Sequence, residues 1–123
     1  MDLKTQRNLD RFLELLGVSG IRPDEHLELT RGSERLFFEV KQSRLLFSIA
    51  MDMDLQSLYR AQRWMLERLP PQRTLGLPTR CYQLGKQLVC SVGIPVEQFN
   101  GDKLFSLYQL LSRLLQKSLR SYP

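Results

Sequence analysis

The side chains able to do chemistry are few in this sequence. It has one histidine, His26, and two cysteines, Cys81 and Cys90. Any Ser-His-Asp or Cys-His device would depend on His26. That imidazole follows Glu25 in a charged segment leading into an expected strand, the setting of a solvated surface histidine. A structural zinc site needs four Cys or His ligands at close spacing, and the chain does not supply them. Arg31-Gly32-Ser33 and Gly85-Lys86 are too short to wrap a phosphate and read as turns. The paired carboxylates, Asp24 with Glu25 and Asp52 with Asp54, stand at element boundaries, where acidic groups start helices or turns. The expectation is a protein that is not an enzyme and uses no cofactor or metal.

The elements that carry these residues follow from periodicity. Leu9, Phe12, Leu13 and Leu16 repeat at helical spacing, with Arg7, Asp10, Arg11 and Glu14 on the other side and Gly17 as the stop. Between residues 26 and 50 the period changes to two. Leu27 and Leu29, then Leu36, Phe38 and Val40, then Leu45, Phe47 and Ile49 alternate with polar groups. Two-residue loops at Gly32-Ser33, with glycine first as a type II′ turn requires, and at Gln42-Ser43 put all of these apolar residues on one face. A three-stranded antiparallel meander is the consequence. Asp54 caps a second helix over about Leu55 to Leu69, with a core stripe of Leu55, Leu58, Tyr59, Met65, Leu66 and Leu69, ended by Pro70-Pro71. Residues 72–78 read as a loop. A hairpin, Thr79–Leu84 and Gln87–Val92, turns at Gly85-Lys86. A long helix from roughly Glu97 to Ser121 closes the chain, with Leu104, Leu107, Tyr108, Leu111, Leu114, Leu115 and Leu119 as its apolar stripe. The order α-β-β-β-α-β-β-α predicts an α+β fold, an antiparallel sheet with helices packed on one face.

Composition agrees with one folded domain over residues 1–123: 42% hydrophobic, 25% charged, seven glycines and six prolines. No apolar run reaches the roughly 20 residues of a membrane span, and Met1-Asp2-Leu3-Lys4 does not read as a secretory leader. Neither membrane insertion nor a secretory signal is expected. The hairpin register makes Cys81 face Cys90, so a disulfide is geometrically conceivable; reduced thiols packed among Leu88 and Val92 are the expectation for a chain without a leader.

Three features exceed what a plain core needs. The net charge is +5, with 13 arginines against five lysines, and Arg60, Arg63, Arg68, Arg73 and Arg80 crowd one segment. Trp64 lies opposite Leu55 and Leu66 on the middle helix, with Arg60 and Arg68 four residues to either side. Such an outward Arg-Trp-Arg stripe reads as a subunit or partner interface; the alternative is a cation–π stack within the monomer. On the outer face of the meander, Phe37 opposite Ser48 and Leu46 opposite Glu39 form a diagonal apolar pair suited to a partner, and the sheet edges are open to strand addition. A small nucleic-acid-binding regulator using the basic middle helix is the alternative class, weakened by Glu28 and Glu39 on the same sheet face.

The chain resembles the class I (CesT/SycE-like) chaperones of bacterial type III secretion. The likeness spans nearly the whole length. It rests on the first helix, Asn8-Leu9-Asp10-Arg11-Phe12-Leu13-Glu14-Leu15-Leu16-Gly17-Val18, a following turn with proline, the meander, the middle helix, the hairpin and the Leu-rich last helix. Met1-Asp2-Leu3 with Arg7-Asn8, and the short length, are more similar to the gatekeeper-associated SycN- and SsaM-like subset. The resemblance implies a bacterial cytoplasmic, non-enzymatic protein that keeps a secreted effector or gatekeeper protein secretion-competent. It implies a homodimer, or a heterodimer with a co-chaperone, built on the middle helix at Arg60, Trp64 and Arg68. It also implies a client surface on the first helix and adjoining strands, at Phe12, Phe37 and Leu46. Most of the family is acidic and this chain is basic, which directs it toward an acidic partner.

Overall fold

A computed structural model describes residues 1–120. The first helix, α1 (Leu3–Leu16), begins where the Asp2 carboxylate accepts a hydrogen bond from the Thr5 backbone N–H at 2.7 Å and ends at Gly17 with φ 76°. Three strands follow: β1 (His26–Arg31), β2 (Glu34–Lys41) and β3 (Arg44–Asp52). Helix α2 (Leu55–Leu66) is capped by Asp54, whose side chain accepts from Ser57 N–H at 2.8 Å. A 3₁₀ turn at Pro71–Arg73 leads to β4 (Thr79–Leu84) and β5 (Gln87–Pro95). A second 3₁₀ turn, Val96–Gln98, precedes α3 (Gly101–Ser118).

The five strands form one antiparallel sheet in the order β1-β2-β3-β5-β4. The α+β architecture and element order are those the periodicity predicts. So is the register: Leu29 faces Leu36, Leu27 faces Phe38, Phe38 faces Phe47, and Cys81 faces Cys90. The meander turns differ in kind. Gly32 supplies a φ of 60° in the first, whereas Gln42 and Ser43 are both left-handed, at 52° and 61°, in the second. Two non-glycine residues accept that conformation because it is the turn whose twist matches paired antiparallel strands.

The helices cover one face only. Phe12 meets Phe38, Phe47, Phe105 and Tyr108 edge-to-face, at centroid distances of 5.3 to 6.4 Å, so one aromatic side chain joins α1, the sheet and α3. At the start of β2, buried Glu34 accepts hydrogen bonds from the hydroxyls of Tyr108 (2.8 Å) and Ser112 on α3. Burial, then the bond and charge of Glu34, raise the Tyr108 pKa, so the phenol remains a donor. Where α3 starts, α1 comes close: a Cβ on Gly101 would lie 2.6 Å from the Asn8 carbonyl oxygen. Asn8 in turn donates to the Phe99 carbonyl at 3.2 Å.

Several details depart from the sequence expectation, among them the run of β5 to Pro95 and the exposure of Leu119. Helix α2 ends at Leu66, although Leu69 beyond it is buried. Part of the 72–78 loop is the 3₁₀ turn. Helix α3 begins at Gly101 because Asn100, not the earlier Glu97 region, caps it by accepting from Lys103 N–H at 2.7 Å; Ser121 lies outside the described residues. The largest correction concerns α2. Its buried face is Leu58, Ala61 and Met65, while Leu55, Tyr59 and Leu66 are 69%, 67% and 55% exposed. The helix carries two apolar stripes about a quarter-turn apart, and the one containing small Ala61 is the one that can approach the sheet closely.

Candidate functional surfaces

The uncovered face of the sheet is organised in rows across the strands. One row runs Glu28, Phe37, Ser48, Ser91, Arg80; the next runs His26, Glu39, Leu46, Gly93. Phe37 is half-buried and Leu46 is 43% exposed, diagonal to one another as the register requires. Together with His26, Glu28, Glu39 and Ser48 they line a shallow depression of about 390 Å³. At the centre of the face, Ser48 and Ser91 share a hydrogen bond of 2.8 Å, and the Tyr82 hydroxyl reaches Ser91 at 3.2 Å. These hydroxyls satisfy one another, so the floor is polar without being charged.

Charged groups are unevenly spread over the same face. Glu28 and Glu39 flank Phe37, whereas Lys41, Arg44 and Arg80 surround the groove that crosses β3, β5 and the start of β4, about 690 Å³ in volume. Strand order places Arg44 and Arg80 on one groove although they are far apart in sequence. The signal for Arg80 was present in the hairpin register, which sets it opposite Ser91; the β3–β5 adjacency that completes the groove was not readable from local turns.

On α2 the residues expected at an interface make contacts within the monomer. Trp64 is half-buried against the core, and the Arg68 guanidinium lies 3.9 Å from its ring centroid. Arg68 also donates to the Trp64 carbonyl at 2.9 Å. Trp64 and Arg68 are thus brought together within the monomer, and with Leu110 and Leu114 of α3 they line a shallow depression of about 250 Å³. Arg60 is half-buried on the same flank. The outward apolar surface is instead Leu55, Tyr59 and Leu66, with Tyr59, Gln62, Arg63, Leu66 and Glu67 framing a depression of about 440 Å³. Phe12 is fully buried at the centre of the aromatic cluster and offers no surface to a client.

The thiols are buried and unbonded. Cys90 has its pKa raised well above 9.0, first by its hydrogen bond with Cys81 and then by burial, which leaves it protonated and a poor nucleophile. Among the described residues, no group of three His, Cys, Asp or Glu side chains is placed to hold a metal ion, and no helix is long and apolar enough to cross a membrane.

Comparison with known proteins adds to this geometry. A family model described as SsaM matches residues 2–118. No curated protein matches the chain. Among solved structures, a chain of the ExsC–ExsE complex matches with a TM-score of 0.70 at 17% identity, covering 100% of this chain and 98% of that one. A chain of the HopA1–SchA chaperone–effector complex gives 0.68 at 15% identity, covering 98% and 99%. A chain of the ExoT–SpcS complex from Pseudomonas aeruginosa gives 0.64 at 10% identity, covering 95% and 98%. At these identities the likeness establishes a shared fold.

Proposed function

The chain belongs to the SsaM family, and from that membership we propose that it is a type III secretion chaperone, holding a secreted effector or gatekeeper protein in a secretion-competent form in the bacterial cytoplasm. The observation that carries the reading is the asymmetry of the sheet. All three helices cover one face, while the other keeps Phe37, Leu46 and Tyr82 accessible around a satisfied hydroxyl floor. A surface of that kind binds an extended segment by apolar contact and hydrogen bonding, without catalysis and without a cofactor. The shared fold with chains of chaperone–effector complexes supports it. Residues 1–123 act as one unit in this reading.

The second surface is a subunit contact. The Leu55–Tyr59–Leu66 stripe suits a second copy or a co-chaperone better than Arg60, Trp64 and Arg68, since it is the more exposed apolar surface and Trp64 is half-buried with Arg68 stacked on its ring. The basic segment does not form one nucleic-acid surface. Arg68 and Arg73 line the α2–α3 seam, Arg63 lies beside the outward stripe, and Arg80 is on the sheet.

The test is purification of the chain from its host with any bound protein, compared with Phe37→Glu/Leu46→Glu. The expected result is a stoichiometric protein partner that the double variant loses while keeping its circular dichroism and melting temperature. A partner retained undiminished by the variant, or no protein partner at all, overturns the reading.

A further inference from the structure

We propose that the basic groove across β3, β5 and the start of β4 seats an acidic, extended segment of the partner protein, with one bulky apolar side chain of that segment packed between Leu46 and Tyr82. This rests on the chaperone reading and deepens it by naming the chemistry of what is bound.

Three observations carry it. The first is charge. Lys41, Arg44 and Arg80 line the groove against one carboxylate, Glu39, leaving a formal excess of +2 (three cations less one anion). Among the described residues none of these three cations is in an ion pair, whereas the outer-face Arg35 is matched to Asp52 at 3.6 Å. The groove therefore presents cations whose partners are still to come.

The second is Gly93. A Cβ built there would fall 2.7 Å from the Arg44 Nη2 and 3.5 Å from its Cζ, so the guanidinium lies against the bare backbone of β5. The absent side chain lets a planar, five-donor cation lie across the groove floor while Arg44 stays exposed, the presentation suited to a carboxylate.

The third is the apolar wall. Leu46 and Tyr82 remain exposed, at 43% and 39%, on opposite sides of the groove. Between them lie Ser91, reached by the Tyr82 hydroxyl at 3.2 Å, and Gly93, over which the Arg44 guanidinium lies, so the apolar side chain would sit on top of that cation. Cations with a wedge of apolar surface between them select an acidic segment carrying an apolar anchor, rather than a purely apolar one.

The experiment measures fluorescence anisotropy of a labelled acidic peptide with one central leucine on the full chain. The expected result is saturable binding that weakens about tenfold or more in Arg44→Glu/Arg80→Glu, weakens also in Gly93→Val, and is absent for the peptide with Asn and Gln in place of its acids. Gly93→Val displaces only the flexible end of Arg44, and its melting temperature is expected to match the parent. Equal binding of the amide peptide overturns the proposal. So does a single-stranded oligonucleotide that binds more tightly and loses binding in the same variant, or a fall in light-scattering mass in Arg44→Glu/Arg80→Glu, which makes the groove a contact between copies. A host partner kept by Arg44→Glu/Arg80→Glu but lost by Phe37→Glu/Leu46→Glu overturns the groove alone; a host preparation with no partner overturns the chaperone reading itself.

Discussion

Helices α1 and α2 begin alike, each with an aspartate capping the first turn, and each has a strong apolar pattern. They end in different relations to the core. In α1, Leu9, Phe12, Leu13 and Leu16 form a single stripe, and all four are buried. In α2, Leu58, Ala61 and Met65 are buried while Leu55, Tyr59 and Leu66 face outward. One apolar stripe on a helix determines its orientation; two leave it to packing, and packing favours the stripe whose small residue permits close approach. The surplus stripe is then free to meet another molecule.

Variants along the two helices should separate these cases. Phe12→Ala removes the ring on which four other aromatics converge and is expected to cost about 3–5 kcal/mol in urea unfolding. A cost near that of a surface substitution would mean that α1 does not hold the core. Trp64→Ala is expected to cost about 2 kcal/mol, less than a fully buried aromatic, with no change of oligomeric mass because the ring is half-buried beneath Arg68. A fall from dimer to monomer in light scattering would return the interface to Trp64. Leu55→Ser/Tyr59→Ser/Leu66→Ser is expected to reverse that pattern, with monomer melting changed by the small amount typical of surface sites and the dimer lost. The smallest effect concerns the caps. Hydrogen bonding from Thr5 to Asp2, and from Ser57 to Asp54, lowers both pKa values from the ordinary 3.8. Since the folded-state pKa is the depressed one, each cap's contribution is complete above 3.8 and disappears as pH falls through the folded value. Asp2→Ala and Asp54→Ala should each flatten the acid limb of a pH–stability curve slightly and similarly. A steep change in one alone would show that the two helix starts are not equivalent.

Much of the fold was legible because short turns enforce register. Gly32-Ser33, Gln42-Ser43 and Gly85-Lys86 each determine which residues face one another, so Phe37 and Leu46 could be placed on the outer face and Cys81 opposite Cys90. The orientation of α2 was not legible, since a helical wheel ranks Leu55, Tyr59 and Leu66 above Ala61 by apolarity alone and contains no information on clearance to the sheet. Phe12 was read as client-facing through the family likeness, whereas the convergence of Phe38, Phe47, Phe105 and Tyr108 on it is a tertiary fact. The basic groove depends on β3 lying next to β5, a pairing that no turn encodes.

That pairing has a temporal consequence. Three of the sheet's four seams close across tight turns, at the entropic cost of a two-residue loop. The fourth joins Asp52 to Gln87, reinforced by the Met53 N–H donating to the Lys86 carbonyl at 2.8 Å, and it closes around everything from Met53 to Lys86. Each doubling of such a loop adds only about 0.6 kcal/mol, but a long-range closure is what slows folding. The meander and the β4–β5 hairpin can each form early and wait for the other, with the middle helix as the tether. The basic groove straddles this last seam, so it comes into being only when the two halves have met.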